Sequence, residues 1–513
     1  MKKNRTVTII FSVIAIIYIA INLFYLDKYP LVWADDVLNN AESAWSLIRK
    51  GNFGSDMAVL AEGRLDKTNI VWGRIFIGIN ALFIYIFGLG PFQARILPFI
   101  SGLLTLFFLF LVTRRLYDNK TAVIAAVFLA FSHIFAVHSH LGRPDMMVAM
   151  FLMITLYVFL KAVEKNSALL YFLSGLAASL TFDIHPPGGM MAIPVLFALI
   201  VYYLILKKTG VTGIFFACAG VFAGAMWWVA LHILPDAGTF FIQYYEYLHR
   251  HRMDPPIVGF QFLNVLKQEF QRYYSFFWLG RFHRNMFYLA VFAAAVLHNL
   301  LIFKKIVNAR PVLVALAAAL FGLTFFVPNK TNFYLIYIWP FLSIITADMI
   351  LRLFNSRTAL LKYAGLIISA GIIALYSFEN VYKIVQYRKS DYNSYIEKLK
   401  KHIPPGFPVL GPIHYWFGFT RSRPYFTDYF GYWVFIENGK PTGYDLVGFI
   451  RKKKIRYIIE DEIFFPWDRS QIERFFKKNC RLVGVVEDKF YGEGDIHKVR
   501  GGNYTTRIWE IVR

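Results

Sequence analysis

Residues 7–36 read VTIIFSVIAIIYIAINLFYLDKYPLVWADD. The run Val7–Leu26 is apolar, and a helix needs about 20 such residues to cross a hydrocarbon core of ~30 Å. Just beyond it stand Asp35 and Asp36, two adjacent carboxylates at a membrane surface. Such a pair is costly to desolvate and attracts cations. It is also what a membrane enzyme needs to take a proton from a hydroxyl or to hold a metal. The plainer reading is a pair of solvated loop acids that end the preceding helix.

The bulk numbers agree with the first span. The 513 residues are 57% hydrophobic and 18% aromatic, and mean hydropathy is +0.47. Soluble domains have a lower apolar fraction and lack repeated long apolar runs. The net charge of +23 would suggest nucleic acid in a soluble protein. Here the basic residues cluster in short loops between apolar spans, where they suit anionic lipid head groups and phosphate-bearing lipids; nucleic acid is not expected as a partner. Cys218 lies inside an apolar span and Cys480 near the C-terminus, so no disulfide framework or cysteine metal site follows. Met1–Arg5 is a short basic start without a small-residue cleavage site after it. It reads as the flank of an uncleaved first helix.

Ten further apolar spans follow: Ile96–Val112, Ala122–Val137, Met146–Leu160, Ala168–Phe182, Met190–Leu206, Gly213–Ile233, Met286–Phe303, Val312–Val327, Phe333–Leu351 and Ala364–Phe378. The loops between them sort by charge. One set is short and basic: the N-terminus, Arg114–Lys120, Lys161–Lys165, Lys207–Lys208, Lys304–Arg310 and Arg352–Lys362. The positive-inside rule places it in the cytoplasm. The other set holds Asp35 and Asp36, Arg143–Asp145, His185, the loop 234–283, Lys330 and the C-terminal region, and so faces outward. This registry requires Ile70–Gly90 to lie along or dip into the outer face. A crossing there would raise about eleven transmembrane helices to twelve or thirteen. The expectation is a polytopic helical membrane domain, residues 1–378, with a first outer loop at about 27–95. A soluble extracytoplasmic α/β domain, 379–513, follows it. In that domain Tyr392–His402, Gly443–Lys454 and Ser470–Lys478 read as helices, and Val409–Pro412, Tyr457–Glu460 and Leu482–Glu487 as strands.

Polar groups beside the spans gather on the outward side: Asp35, Asp36, Arg64, Lys67, Arg74, Arg143, Asp145, His185, Lys330, Tyr334 and Tyr337. A polar group near lipid is costly unless paired or wet, and marks function by default. Carboxylates among basic and aromatic groups suit a lipid head whose phosphate leaves during a reaction: cations stabilise the phosphate and a carboxylate activates the attacking hydroxyl. Each residue has a bland reading too. Asp145 could simply pair with Arg143, His185 could be a satisfied interfacial histidine, Lys330 could snorkel, and the tyrosines could belong to an aromatic belt.

The ordered segments resemble the GT-C glycosyltransferase superfamily, in particular its protein O-mannosyltransferase and lipid A aminoarabinose transferase group. Asp35-Asp36 with Ala41-Glu42 and Gly51-Asn52-Phe53 resembles the family's Asp-Glu loop and following helix, with Asp as the second acid. Asp66-Lys67 resembles its acid–lysine pair, but Thr68-Asn69 stand where two prolines usually follow. Phe87-Gly88, Phe92, Ala94-Arg95 and Pro98 resemble the start of a family membrane helix. Arg143-Pro144-Asp145 falls at the second acidic motif. Lys330, Tyr334 and Pro340 resemble a late basic–Tyr–Pro pattern. The resemblance covers about residues 1–378.

It implies transfer of a sugar from a polyprenyl-phosphate carrier to an acceptor hydroxyl on the outer face of a plasma (inner) membrane, usually with inversion. Asp35 would be the general base, supported by Asp36, with Asp145 holding the acceptor or the Asp35 geometry. Lys67, with Arg74 or Lys330 and Tyr334, would bind the carrier phosphate, with Arg64, Arg143 and His185 as further candidates. No cofactor is required, although a divalent cation at Asp35 and Asp36 is compatible. The acceptor could be lipid, glycan or protein. A lipid-linked sugar transporter or flippase would instead show inverted repeats and broken helices in corresponding halves. An oligosaccharyltransferase-like relative would carry a Trp-Trp-Asp signature in its soluble domain; Trp227-Trp228 is followed by Val229 and lies in a span. A structural membrane subunit with a lapsed site is the third alternative.

Overall fold

The computed structural model describes residues 2–55, 57, 73–250, 261–279, 286–302, 310–327, 330–428, 436–437, 440–441, 445–461, 469–488 and 504–512. Arg64, Asp66 and Lys67, and the basic pair Lys304 and Lys305, lie outside these residues.

Each predicted span contains a helix. Among the described residues, six helices are long and apolar enough to cross a membrane: Arg5–Leu23, Pro91–Leu116, Asp145–Lys165, Pro186–Ile205, Val211–His232 and the one beginning at Ala359. Shorter apolar helices cover Arg74–Phe87, Ala168–Ile184, Met286–Leu301 and Arg310–Phe325. Their outer faces expose apolar side chains such as Ile9, Ile16, Phe215, Phe222 and Trp227, as lipid-facing surfaces do. The predicted span 122–137 is broken into Asn119–Phe131 and His133–Ser139, bent by 62°. Polar side chains enter the helical ladder at the break, a recognised cause of kinks. Ser132 accepts the Trp339 indole N–H at 2.8 Å, and the Asn380 amide donates to the Phe131 carbonyl at 2.8 Å.

The predicted span at 333–351 also opens irregularly. A 3-10 turn, Asn332–Tyr337, precedes the helix Trp339–Phe354, with Pro340 in the first helical turn. Pro340 needs no hydrogen-bond partner there, and the turn presents Tyr334 and Tyr337 beside the start of the helix Asp145–Lys165. The stretch read as lying along the outer face forms the 14-residue helix Arg74–Phe87. At 1.5 Å per residue it rises about 21 Å, short of a full core of ~30 Å.

The C-terminal region carries a five-stranded sheet of β1 (Val409–Leu410), β2 (Tyr425–Phe426), β3 (Tyr457–Glu460), β4 (Cys480–Asp488) and β5 (Tyr504–Ile511), in the order β2-β1-β3-β5-β4. β1 pairs parallel with β2 and β3, whereas β5 runs antiparallel to both β3 and β4. The strands at 409–412, 457–460 and 482–487 were legible; β2 and β5 were not expected. Alternate residues serve the two faces. Leu410 and Ile458 pack under the helices Leu446–Lys452 and Arg469–Asn479. Val409, Tyr457, Ile459 and Ile508 belong to a second core shared with Tyr29, Leu31, Val37, Ala41, Ile77 and Leu89 of the first outer loop. The sheet is therefore joined to the loop that carries Asp35.

Helices Ala168–Ile184 and Val211–His232 approach closely through small residues. A Cβ on Gly220 would run into the Phe172 carbonyl, and one on Gly175 into the Ala217 carbonyl. Because backbone atoms cannot yield as a flexible side chain can, Gly220→Leu should cost about 3 kcal/mol or more. Thermal unfolding in detergent should show the loss, while Cys218→Leu, turned to the other face of the same helix two residues earlier, should leave the midpoint close to wild type.

Candidate active site

The first outer loop turns helical at Ala34–Asp36, widens into a π-turn at Val37–Ala41 and continues as the helix Glu42–Lys50. Such π-turns inside helices are frequent at functional sites. The turn begins directly after the two carboxylates, and the two diverge. Asp36 is fully buried. Its oxygens accept from Arg95 Nε at 2.9 Å and Nη2 at 2.7 Å, from the Gly142 amide at 2.8 Å and from the Trp33 amide at 2.9 Å. Arg95, also fully buried, donates to the Leu26, Pro30 and Leu31 carbonyls as well. Asp36 is thus the counter-ion of an arginine that fastens the outer loop to the bundle.

Asp35 points elsewhere. Its side chain is 23% exposed, and Oδ1 accepts from Arg143 Nη1 at 2.7 Å. Oδ2 takes no hydrogen bond among the described residues. Arg143 uses Nε to bind Asp145 at 2.6 Å and lies over the Phe333 ring at 4.3 Å. Asp145 starts the helix Asp145–Lys165 and is buried; its other oxygen accepts from the Tyr337 hydroxyl at 2.7 Å. His185 Nδ1 lies 2.9 Å from that hydroxyl and 3.5 Å from Asp145. The His185 ring meets Tyr334 edge-on at 5.3 Å, and Tyr334 stacks on Tyr337. Asp35, Arg143, Asp145, Tyr337, His185 and Tyr334 therefore form one connected group drawn from four segments of chain.

Burial pushes the Asp35 carboxyl above the usual carboxylate range, against the pull of Arg143. Burial also works against the Arg143 charge, but Asp145 and Asp35 overcome it and hold the guanidinium well above its ordinary value. His185 is pulled down by burial despite Asp145, so it is neutral at neutral pH. The result is an ionised arginine, a neutral imidazole and a carboxylate with enhanced basicity.

Lys330 stands on the flank of this group. It lies 3.4 Å from Glu269, which is 3.3 Å from Arg272, and donates to the Leu323 carbonyl at 3.0 Å. Burial lowers Lys330 to about 8, with Glu269 opposing. Arg272 is within electrostatic reach of Tyr334 and Tyr337. Arg74 sits elsewhere in the outer loop, over the Phe53 ring at 4.9 Å and bonded to the Leu231 carbonyl, while its own amide is capped by Asp183 at 3.1 Å. Among the described residues no three His, Cys, Asp or Glu side chains converge on a metal position. A cation bridging Asp35 and Asp36 would have to displace Arg95 or Arg143 from carboxylates they already hold.

The sequence placed Arg95 only within a family-like motif, gave no role to Arg272 or Glu269, and named Tyr337 among the outward polar groups without assigning it a function. Arg95 had a signal, being an arginine set just inside a long apolar helix. Glu269 and Arg272 are spaced i, i+3 on the amphipathic helix Gln261–Tyr274, a pattern as common on a solvated face. Tyr337 is told from Tyr334 only by the 3-10 turn.

Comparison with known proteins gives the class first. The fold is that of the GT-C membrane glycosyltransferases. ArnT from Cupriavidus metallidurans aligns over 99% of this chain and 98% of its own, at 13% identity and a TM-score of 0.59. The archaeal oligosaccharyltransferase AglB from Archaeoglobus fulgidus, in complex with an inhibitory peptide and a dolichol-phosphate, aligns over 90% of this chain and 70% of its own. Its identity is 12% and its TM-score 0.55. More particularly, residues 77–228 match the family model for dolichyl-phosphate-mannose-protein mannosyltransferase. An uncharacterized protein from Aquifex aeolicus is 25% identical over 195 residues, which are 38% of this chain and 37% of that relative.

The two adjacent acids should respond differently to loss of charge. Asp36→Asn leaves the buried Arg95 guanidinium uncompensated and should cost about 3–5 kcal/mol, seen as a large fall in the thermal midpoint. Asp35→Asn, at a partly exposed position, should shift the midpoint far less in the same assay.

Proposed function

We propose that the chain transfers a sugar from a polyprenyl-phosphate-linked donor to an acceptor hydroxyl at the extracytoplasmic face of the inner membrane, with inversion. The reading places the N-terminus in the cytoplasm and the C-terminal domain outside. The observation that carries it is the open Oδ2 of Asp35 beside the Arg143 bridge to Asp145. Two structures with this fold support the lipid donor: ArnT, solved bound to undecaprenyl phosphate, and AglB, solved with a dolichol-phosphate.

In this reading the acceptor O–H gives its proton to Asp35 Oδ2 as the oxygen attacks the anomeric carbon. The bond from that carbon to the carrier phosphate breaks, and its electron pair leaves with the phosphate. Cations set at the developing charge lower the barrier. Lys330 and Arg272 are assigned to the phosphate, with Tyr334 and His185 lining its approach; Lys67, Arg64 and Arg74 join them on the resemblance alone. Arg143 fixes the Asp35 carboxylate so that its free oxygen faces the acceptor. Asp145 orients Arg143 and takes its own support from Tyr337. Asp36 acts through Arg95, holding the loop. The proposal requires no metal, because Arg143 supplies the positive charge at Asp35.

Asp35→Asn should lower transfer by about 10²–10⁴-fold, the usual worth of a general base, while binding of polyprenyl phosphate persists. Transfer measured with a radiolabelled lipid-linked sugar, alongside lipid binding, checks both; unchanged transfer would remove Asp35 from the role. The base works deprotonated, so kcat/KM should rise with pH through the elevated Asp35 pKa and then level. Arg143 pulls that pKa down, so Arg143→Met should move the rising limb to higher pH as well as reduce the plateau. EDTA treatment followed by metal-free assay should leave at least most of the rate.

A further inference from the structure

A cleft of about 820 Å³ opens between the first outer loop and the C-terminal domain. One wall is the helix Glu42–Lys50, which contributes Trp45, Arg49 and Lys50. The other comes from the C-terminal domain, with Trp416, Arg421, Tyr425 and Lys453. The volume lies in the range of sites that enclose a small ligand or a few sugar units.

The charge of the lining is one-sided. Among the described residues, Arg49, Lys50, Arg421, Arg423 and Lys453 line the cleft with a single carboxylate, Glu42. Glu42 is buried at the floor and accepts from the Ser55 hydroxyl at 2.7 Å and the Met57 amide at 3.0 Å. Burial raises its pKa to about 7, so it offsets the cations only in part. Arg49 and Arg421 have no ion-pair partner among the described residues. Instead Arg49 lies 5.6 Å from the Trp45 ring, and Arg421 donates to the Leu89 carbonyl. The Trp45 indole N–H is buried without an acceptor among the described residues. Converging cations repel one another and favour an anionic occupant. The half-buried Trp45 ring beside them supplies an apolar platform for a sugar ring, and its unused N–H a donor for a hydroxyl.

The cleft is tied to the proposed reaction site by chain geometry. Glu42 follows Asp35 on the same helical stretch, roughly 10 Å further along its axis at the α-helical rise. The turn Ile413–Tyr415, which precedes Trp416, packs against the helix Ala34–Asp36. Both walls therefore lead back to the acids.

We propose that this cleft is the acceptor site and takes a saccharide bearing carboxylate or phosphate groups. The proposal rests on the transferase reading but is tested by binding alone, so a failure of transfer leaves it standing and a failure of binding leaves the donor chemistry standing. The experiment uses the full chain in phosphatidylcholine nanodiscs. Its probes are a fluorescent galacturonic acid hexamer, the neutral hexamer maltohexaose, and the galacturonic acid hexamer coupled to a phosphatidylethanolamine anchor.

The acidic hexamer should bind at least tenfold more tightly than the neutral one. Arg49→Gln and Lys453→Gln should each weaken it by about tenfold, the worth of one charge-assisted hydrogen bond, with undecaprenyl-phosphate binding and the thermal midpoint kept. Trp45→Phe, a gentler change, should weaken both hexamers. Tighter binding of the anchored form identifies a lipid-borne acceptor, and equal binding a free or polymeric one; both uphold the site. Equal affinity for neutral and acidic hexamers, indifference to both charge variants, or full competition by phosphatidylglycerol nanodiscs would overturn it.

Discussion

Two neighbouring carboxylates drawn out of water at a membrane rim must each be compensated, and the chain gives each its own arginine. Asp36 takes Arg95 from within a membrane helix and is closed off on every side by further donors. Asp35 takes Arg143 from the next outer loop and keeps one oxygen open. The first pairing fixes where the loop leaves the bundle. The second fixes the orientation of Asp35, because Arg143 is itself held by Asp145 and by the face of Phe333. A buried ion pair is poor evidence of stability in itself, but removing either partner strands a charge. The pair therefore acts as a registration pin: the loop has one placement in which neither Asp36 nor Arg95 is uncompensated.

Much of this was readable from residue patterns, for a physical reason. Lipid imposes long apolar runs, and the basic loops between them give alternation, so every span was found near its helix. The polar outliers could be recognised because each is expensive beside lipid; Asp35, Arg143, Asp145 and His185 were named on that ground and stand together. What could not be read depends on which atoms meet. Nothing in Asp35-Asp36 as a dipeptide tells which acid is sequestered; that follows from Arg95, sixty residues along the chain. The break at Ser132 depends on Trp339 and Asn380, both remote in sequence. Strand β5 lies in a stretch whose alternation is obscured by Thr505, Thr506 and Arg507, and β2 is only two residues long. Arg272 and Glu269 look like any amphipathic surface until Lys330 is brought against them.

The C-terminal sheet extends the same logic outward. One of its faces is covered by its own helices, and the other is completed by apolar side chains of the first outer loop. The backbone joins in, with the Thr427 amide donating to the Met57 carbonyl at 2.8 Å. Because that loop also carries Asp35, the position of the sheet and the position of the proposed base are mechanically linked. A region that sequence resemblance leaves undescribed thus forms part of the surroundings of the acids.

The central claim is that Asp35, set by Arg143, faces the anomeric carbon of a lipid-linked sugar whose phosphate lies toward Lys330 and Arg272. A cryo-EM structure of the protein in nanodiscs with a non-hydrolysable polyprenyl-phosphonate sugar measures this directly. The account predicts the phosphonate against Lys330 and Arg272, with the anomeric carbon turned toward Asp35 Oδ2 and the Arg143 bridge intact. A phosphonate seated away from these cations, or a sugar whose anomeric carbon faces another side chain, would contradict it.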